Sequence, residues 1–91
     1  MVICVRAFGP LARHFGGRVE IQLPPGATLK DVWQTISDGW GEQLPSEFWD
    51  GQAKRFRRAV LVMTHQAEVE DDTLALRDGQ EILLVVPVIG G

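Results

Sequence analysis

The chain has 91 residues, enough for one domain built around a single modest core. Hydrophobic residues make up 45% and charged residues 23%, and the net charge of −3 argues against a nucleic-acid binder driven by phosphate contacts. The one cysteine, Cys4, excludes an intramolecular disulfide and a cysteine-based zinc site, and no stretch approaches the ~18 consecutive apolar residues of a membrane span.

Residues 1–8 are rich in Val and Ile and read as a first strand, with Cys4 as a buried inert thiol within it. Arg6 interrupts this apolar stretch and no cleavage-type region follows, so no signal peptide is read and a cytoplasmic location is expected. Gly9-Pro10 ends the strand, and residues 11–15 suit a helical turn before Gly16-Gly17. Val19, Ile21 and Leu23 then alternate with Arg18, Glu20 and Gln22, the period of a half-buried strand. The first two strands are expected to form an antiparallel hairpin, closed off by Pro24-Pro25-Gly26.

Thr28 opens a helix, with its hydroxyl placed to accept the Asp31 N–H and Asp31 adding negative charge to the first turn. Leu29, Val32, Trp33 and Ile36 fall on one apolar face, and Gly39 is the expected stop. Residues 40–57 lack a regular period. Trp40 and Trp33 are assigned to the core, whereas Trp49 either fills a satellite core or forms a docking patch. Arg55, Arg57 and Arg58, with Lys54, form a basic cluster that either meets an acidic partner surface or is a solvated hairpin.

Residues 59–64 return to strand character, a short strand is expected at 67–70, and residues 74–76 suit a turn of helix. Arg77-Asp78-Gly79-Gln80 is a turn signal, after which residues 81–86 make a final strand, central in its sheet. His14 and His65 are isolated and read as solvated or locally bonded, and Glu68, Glu70, Asp71 and Asp72 lack the spacing of a calcium loop and read as a solvated loop. The order strand, strand, helix, strand, short strand, strand predicts an α+β fold in which a mixed sheet of four to five strands packs against one main helix. The last strand is central only if it pairs in parallel with the first, which gives the β-grasp, ubiquitin-like topology over residues 1–91, with a flexible C-terminal tail.

That tail is Gly90-Gly91, closing the run Val86-Pro87-Val88-Ile89-Gly90-Gly91. Without a Cβ, the two glycines can thread a narrow channel, and the terminal carboxylate is unhindered. The competing reading is a frayed terminus. With Gly9-Pro10-Leu11-Ala12, Pro25-Gly26-Ala27-Thr28-Leu29 and Leu76-Arg77-Asp78-Gly79-Gln80-Glu81-Ile82, this ending resembles the MoaD/ThiS sulfur-carrier family, typified by the small subunit of molybdopterin synthase and the thiamine sulfur carrier. The length favours the molybdopterin-synthase type, and the approach Arg55-Phe56-Arg57-Arg58-Ala59-Val60 resembles longer carriers of related sulfur-transfer pathways. The chain departs from the family at Met63, where Asn is usual, and at Thr64-His65-Gln66, which replaces an Asn-Gly-type turn.

The resemblance implies a protein co-substrate rather than an enzyme. An E1-like adenylyltransferase of the MoeB/ThiF type would use Mg-ATP to activate the Gly91 carboxylate, and a sulfide or persulfide donor would leave a thiocarboxylate. A larger acceptor enzyme, such as the large subunit of molybdopterin synthase, would then receive the tail. No bound cofactor or metal is implied. Gly91 is the reacting residue and Gly90 part of the threaded tail. Pro87 either aims the tail by fixing φ or only ends the ladder, and Val88 and Ile89 pack on the partner. Conjugation to lysines as a ubiquitin-like modifier, and a non-reactive interaction module, are the alternatives.

Overall fold

The computed structural model describes residues 1–14, 16–69 and 71–87. Strands β1 (Val2–Phe8) and β2 (Arg18–Gln22) form the expected antiparallel hairpin, with Ile3 opposite Ile21. Their connection is a 3-10 helix, Gly9–His14, whose Leu11 is fully buried against the core. Helix α1 (Leu29–Trp40) follows, then a two-stranded hairpin of β3 (Trp49–Asp50) and β4 (Arg55–Phe56). The main sheet is completed by β5 (Leu61–Met63) and β6 (Glu81–Val85) in the order β2-β1-β6-β5. As the expected topology requires, β6 is central: it runs parallel to β1, with Val5 beside Ile82, and antiparallel to β5.

One face of this sheet and one face of the helix make the core. Ile3, Val5, Ile82 and Leu84 are buried on the sheet, and Leu29, Val32, Trp33 and Ile36 supply the helical layer. The i, i+3, i+4, i+7 spacing read from the sequence is thus the buried stripe. At the helix start, the Asp31 carboxylate accepts the Thr28 backbone N–H at 2.8 Å. The Thr28 hydroxyl turns toward the same carboxylate, at 3.4 Å.

The first helical N–H groups have no partners within the helix itself. Here they are met by a distant segment: Leu29 N–H donates to the Leu74 carbonyl at 3.0 Å, and Lys30 N–H to the Asp72 carbonyl at 2.9 Å. This explains why residues 74–76 are not the helical turn their composition suggests. They run extended past the helix start, Ala75 bridging to Thr28 and Leu76 N–H donating to the Ala27 carbonyl at 3.1 Å. Two other boundaries shift. The helix passes through Gly39 to Trp40, because Gly39 keeps helical geometry and Gly41 N–H closes the last turn on the Ser37 carbonyl at 3.1 Å. The short strand expected at 67–70 reduces to a Met63–Glu68 bridge, and Glu70 lies outside the described residues.

The turn after β5 is made by Thr64. Its hydroxyl accepts the N–H groups of Gln66 and Ala67 at 3.2 and 3.3 Å, the local bonding that an Asn side chain would otherwise supply. The departure at Met63 and Thr64 therefore leaves the turn intact.

Residues 40–57 are more ordered than their pattern suggests. In the β3–β4 loop, the Asp50 carboxylate accepts the N–H groups of Gln52 and Ala53 at 3.0 and 3.1 Å, and Lys54 takes a left-handed φ of 54°. Phe56 sits edge-on to two rings, with centroids 5.1 Å from Trp33 and 4.8 Å from Trp49. Aromatic pairs favour this edge-to-face arrangement, so the hairpin is locked to α1 by its own ring stack.

Candidate functional site

Side chains alternate across a strand, so the residues between the core positions define a second, open face of the sheet. On β1 these are Cys4, Arg6 and Phe8; on β6 they are Glu81, Leu83 and Val85; on β5 they are Leu61 and Met63. The face is divided. Toward the end of β6, Leu61, Leu83 and Val85 are half-buried and Phe8 is exposed, an apolar strip. Toward the start of β6 the face is charged. Glu81 contacts His65 through Nε2 and lies 3.8 Å from the Arg6 guanidinium, and Arg18 pairs with Glu20 at 3.3 Å. The His65 hydrogen bond, followed by the Arg6 and Arg18 charges, holds the Glu81 carboxyl below the usual carboxylate range. His65 is thus locally bonded, in keeping with its isolation in sequence.

The sequence reading missed this face. Its signal was present in the run Ile82-Leu83-Leu84-Val85-Val86: only Ile82 and Leu84 fit the core period, which leaves Leu83 and Val85 pointing the other way. Cys4 is also on this face but is buried, matching the inert thiol expected there.

The tail follows directly from this strand. β6 ends at Val85, beside Phe8 of β1, and Val86 is half-buried against the core. Gly9 turns β1 away here with a φ of +69°, an angle suited to glycine, and a Cβ on it would lie 3.7 Å from the Val86 carbonyl oxygen. Pro87 is exposed and belongs to no strand. Val88, Ile89, Gly90 and Gly91, the remaining residues assigned to the tail, lie outside the described residues.

The basic cluster is on the β3–β4 hairpin and just after it, and its members differ. The Arg57 Nε donates to the Ser46 carbonyl at 2.7 Å, and its guanidinium is 3.7 Å from the Asp50 carboxylate. Arg57 is therefore committed to holding the hairpin. Asp50 is held below the ordinary carboxylate range chiefly by the Ala53 and Gln52 N–H groups, with Arg57 and Arg55 contributing. Arg55 and Arg58 are exposed, and among the described residues neither makes an ion pair or side-chain hydrogen bond.

Trp49 requires a correction as a docking residue. It is 3% exposed and packed on Phe56, so it belongs to the satellite core, which was the other reading of its segment. Trp33 is buried as expected, and Trp40 is half-buried against the core. Among the described residues, no group of three or more His, Cys, Asp or Glu side chains gathers as a metal site would require. Nor is any helix among them long and apolar enough to cross a membrane.

No family model matches the sequence, and no curated protein matches it. Solved structures do. SAMP1 from Haloferax volcanii superposes with a TM-score of 0.78 at 21% identity, covering 100% of both chains. A putative molybdopterin converting factor subunit 1 from Pyrococcus furiosus gives a TM-score of 0.71 at 22% identity, over 97% of this chain and 99% of the other. A protein–protein complex of subunits 1 and 2 of molybdopterin-converting factor from Helicobacter pylori contains a chain that matches with a TM-score of 0.66 at 21% identity, over 100% of both. At these identities the likeness is one of fold, and that fold is the ubiquitin-like β-grasp. The family resemblance read from the sequence thus has structural counterparts, since the neighbours include a molybdopterin-converting subunit 1.

Proposed function

We propose that this chain is a sulfur-carrier protein, a co-substrate whose Gly91 carboxylate is the working group. The observation that carries the reading is the end-to-end match to a molybdopterin converting factor subunit 1, combined with a central β6 that leads directly into Pro87-Val88-Ile89-Gly90-Gly91. In the proposed reaction, the Gly91 carboxylate attacks the α-phosphorus of ATP on a partner adenylyltransferase and pyrophosphate leaves. Mg-ATP belongs to that enzyme. A hydrosulfide then attacks the acyl carbon, the acyl C–O bond breaks and AMP departs, leaving a thiocarboxylate. A carboxylate alone is a poor electrophile, and the adenylate supplies the leaving group.

The loaded tail then enters a larger acceptor enzyme in the cytoplasm, in molybdopterin biosynthesis or a related sulfur-transfer pathway. The Helicobacter structure, a complex of two converting-factor subunits, supports an acceptor of this kind. The apolar strip of Phe8, Leu83 and Val85 lies beside the point where the tail departs, and is placed to seat the carrier while the tail is used. Pro87, with its fixed φ, limits the directions open to the chain beyond it.

A second reading is favoured by one observation: the structure giving a TM-score of 0.78 is SAMP1, a small archaeal modifier protein. Under that reading Gly91 is joined to a lysine of a target protein, after the same adenylation. Intact-protein mass spectrometry separates the two. After incubation with a cognate adenylyltransferase, Mg-ATP and sulfide, a carrier shows one oxygen replaced by sulfur in its C-terminal fragment. Fragment localisation is needed because methionine oxidation gives nearly the same mass change. An unmodified terminus in the presence of an active enzyme would sink the carrier reading, and isopeptide adducts through Gly91 would establish the modifier.

A further inference from the structure

Strand β6 stops at the same level on both of its sides. Its last partner in β1 is Phe8 and its last partner in β5 is Leu61, and both stand opposite Val85. On each side the next place in the ladder falls to a proline. On the β1 side, the Cys4 N–H donates to the Gln80 carbonyl at 2.9 Å. Backbone groups of alternate residues point to the same side of a strand, so Cys4, Arg6 and Phe8 face β6. The next donor in that series is residue 10, with the Val86 carbonyl as its acceptor. Residue 10 is Pro10, which has no N–H. On the β5 side, the Val62 carbonyl accepts the Val69 N–H at 2.7 Å, and the Thr64 N–H donates to the Ala67 carbonyl at 2.9 Å. Val62 and Thr64 therefore face away from β6, and Leu61 and Met63 face Val85 and Leu83. The next residue of β6 on that side is Pro87, again without an N–H.

We propose that Pro10 and Pro87, with the Gly9 turn, act as a two-sided stop that fixes Val86 as the root of the segment carrying Gly91, and so sets how that carboxylate reaches into a partner. The proposal rests on the Gly91 reading and adds positioning residues to it. Either proline alone would be an ordinary strand end. Their coincidence at one level is what the role requires, because a ladder blocked on one side only can still lengthen along the other. Gly9 reinforces the β1 side: at a φ of +69° it carries β1 into the 3-10 helix, which the fully buried Leu11 anchors. The stop is needed because Val86, Val88 and Ile89 are β-branched and suited to prolonging the strand. Each residue drawn into the sheet is one fewer that can bend toward a site off the strand axis, and a residue spans at most about 3.3–3.6 Å.

The test uses the ¹⁵N-labelled full chain, its Pro87→Val variant, and that variant with one glycine inserted between Ile89 and Gly90. Pro87 is exposed, so the substitution leaves the core untouched. In the free variant, the amide restored at position 87 should exchange slowly, as an N–H bonded in a lengthened β5–β6 ladder does. Kinetics then follow pyrophosphate release by a cognate adenylyltransferase supplied with Mg-ATP. Because the open sheet face is unchanged, Pro87→Val should lower kcat about tenfold while KM stays within about twofold. The inserted glycine should restore most of the lost rate, whereas a proline that only stiffens the exit predicts no such rescue. Gly9→Val combined with Pro10→Val tests the β1 side in the same way and should give the same split. A rapidly exchanging amide at position 87, an unchanged kcat, or a loss that the inserted glycine leaves in place would overturn the proposal. A wild-type chain left untouched by an enzyme active on its own carrier would overturn the Gly91 reading itself. A reactive wild type beside an equally reactive variant removes the stop alone.

Discussion

Replacing Phe56 by Ala tests whether the β3–β4 hairpin is part of the domain core or an appendage to it. Phe56 is 7% exposed and makes edge-on contacts with Trp33 and Trp49, which are themselves 4% and 3% exposed. Truncating a buried Phe to Ala typically costs about 3–5 kcal/mol, the upper part of that range applying where neighbours cannot collapse into the space. Two large indoles held by the helix and by β3 are poor at collapsing, so a loss of about 4 kcal/mol is expected. A domain of this length has roughly 5–14 kcal/mol of stability, so the variant stays folded but melts far earlier. Phe56→Leu keeps most of the apolar volume and loses the two ring contacts, each worth about 0.5–1.5 kcal/mol, so it should cost about 1–3 kcal/mol. Urea unfolding followed by far-ultraviolet circular dichroism reports the sheet and helix, and tryptophan emission reports the ring stack. Both probes should shift together, with an unchanged m-value. If Phe56→Ala lost less than about 1 kcal/mol by circular dichroism while the tryptophan signal alone changed, the hairpin would be melting by itself, and the single-core reasoning would be wrong.

On the open face, Leu83→Asp places a charge in the half-buried apolar strip while leaving Ile82 and Leu84 in the core. It should slow thiocarboxylate formation at least about tenfold with the fold retained, since charged groups are disfavoured at the centre of an interface; an unchanged rate in the mass-spectrometric assay would remove that strip from the partner contact. Acid sensitivity should follow Asp50, Asp71 and Glu81, all held below their ordinary values. Each favours the folded state above the unfolded carboxylate value of about 4 and withdraws that support as pH falls through its lower folded value, so thermal stability should drop below about pH 4. Asp50→Asn should flatten part of that decline in melting curves taken from neutral to acid pH, and an identical pH profile would show that the loop carboxylate has no part in it.

The strands and helix that bury a repeating stripe were legible in the sequence. Ile3, Val5, Ile82 and Leu84 announce strands by composition and period, and Thr28 with Asp31 marks the helix start. The elements that were misread are those fixed by partners far away in the chain. Residues 74–76 have a composition that suits a helical turn, but their carbonyl and N–H groups are used by Ala27 and Leu29, which no local pattern reveals. The β3–β4 hairpin is two residues per strand, too short for any period, and it depends on Trp33, which lies on another element. Trp49 could not be assigned between core and surface for the same reason. On the functional side, the basic cluster was visible as a run of like residues. Its division into a committed Arg57 and two available arginines required the position of Ser46 and Asp50 in space.

The pairing of β6 with β1 also governs when this chain can fold. β6 sits in the middle of the sheet, so a nascent chain synthesised only as far as residue 80 has β1 with a single neighbour and β5 with none. Until β6 emerges from the ribosome, Ile3, Val5 and the apolar face of α1 have no complete surface to cover them, and such long-range pairing forms late. The complete sheet therefore cannot form until β6, through Val85, is free to pair with both β1 and β5. A product truncated before that point exposes its core residues to proteases and chaperones, and does not present a finished β-grasp surface to a partner enzyme.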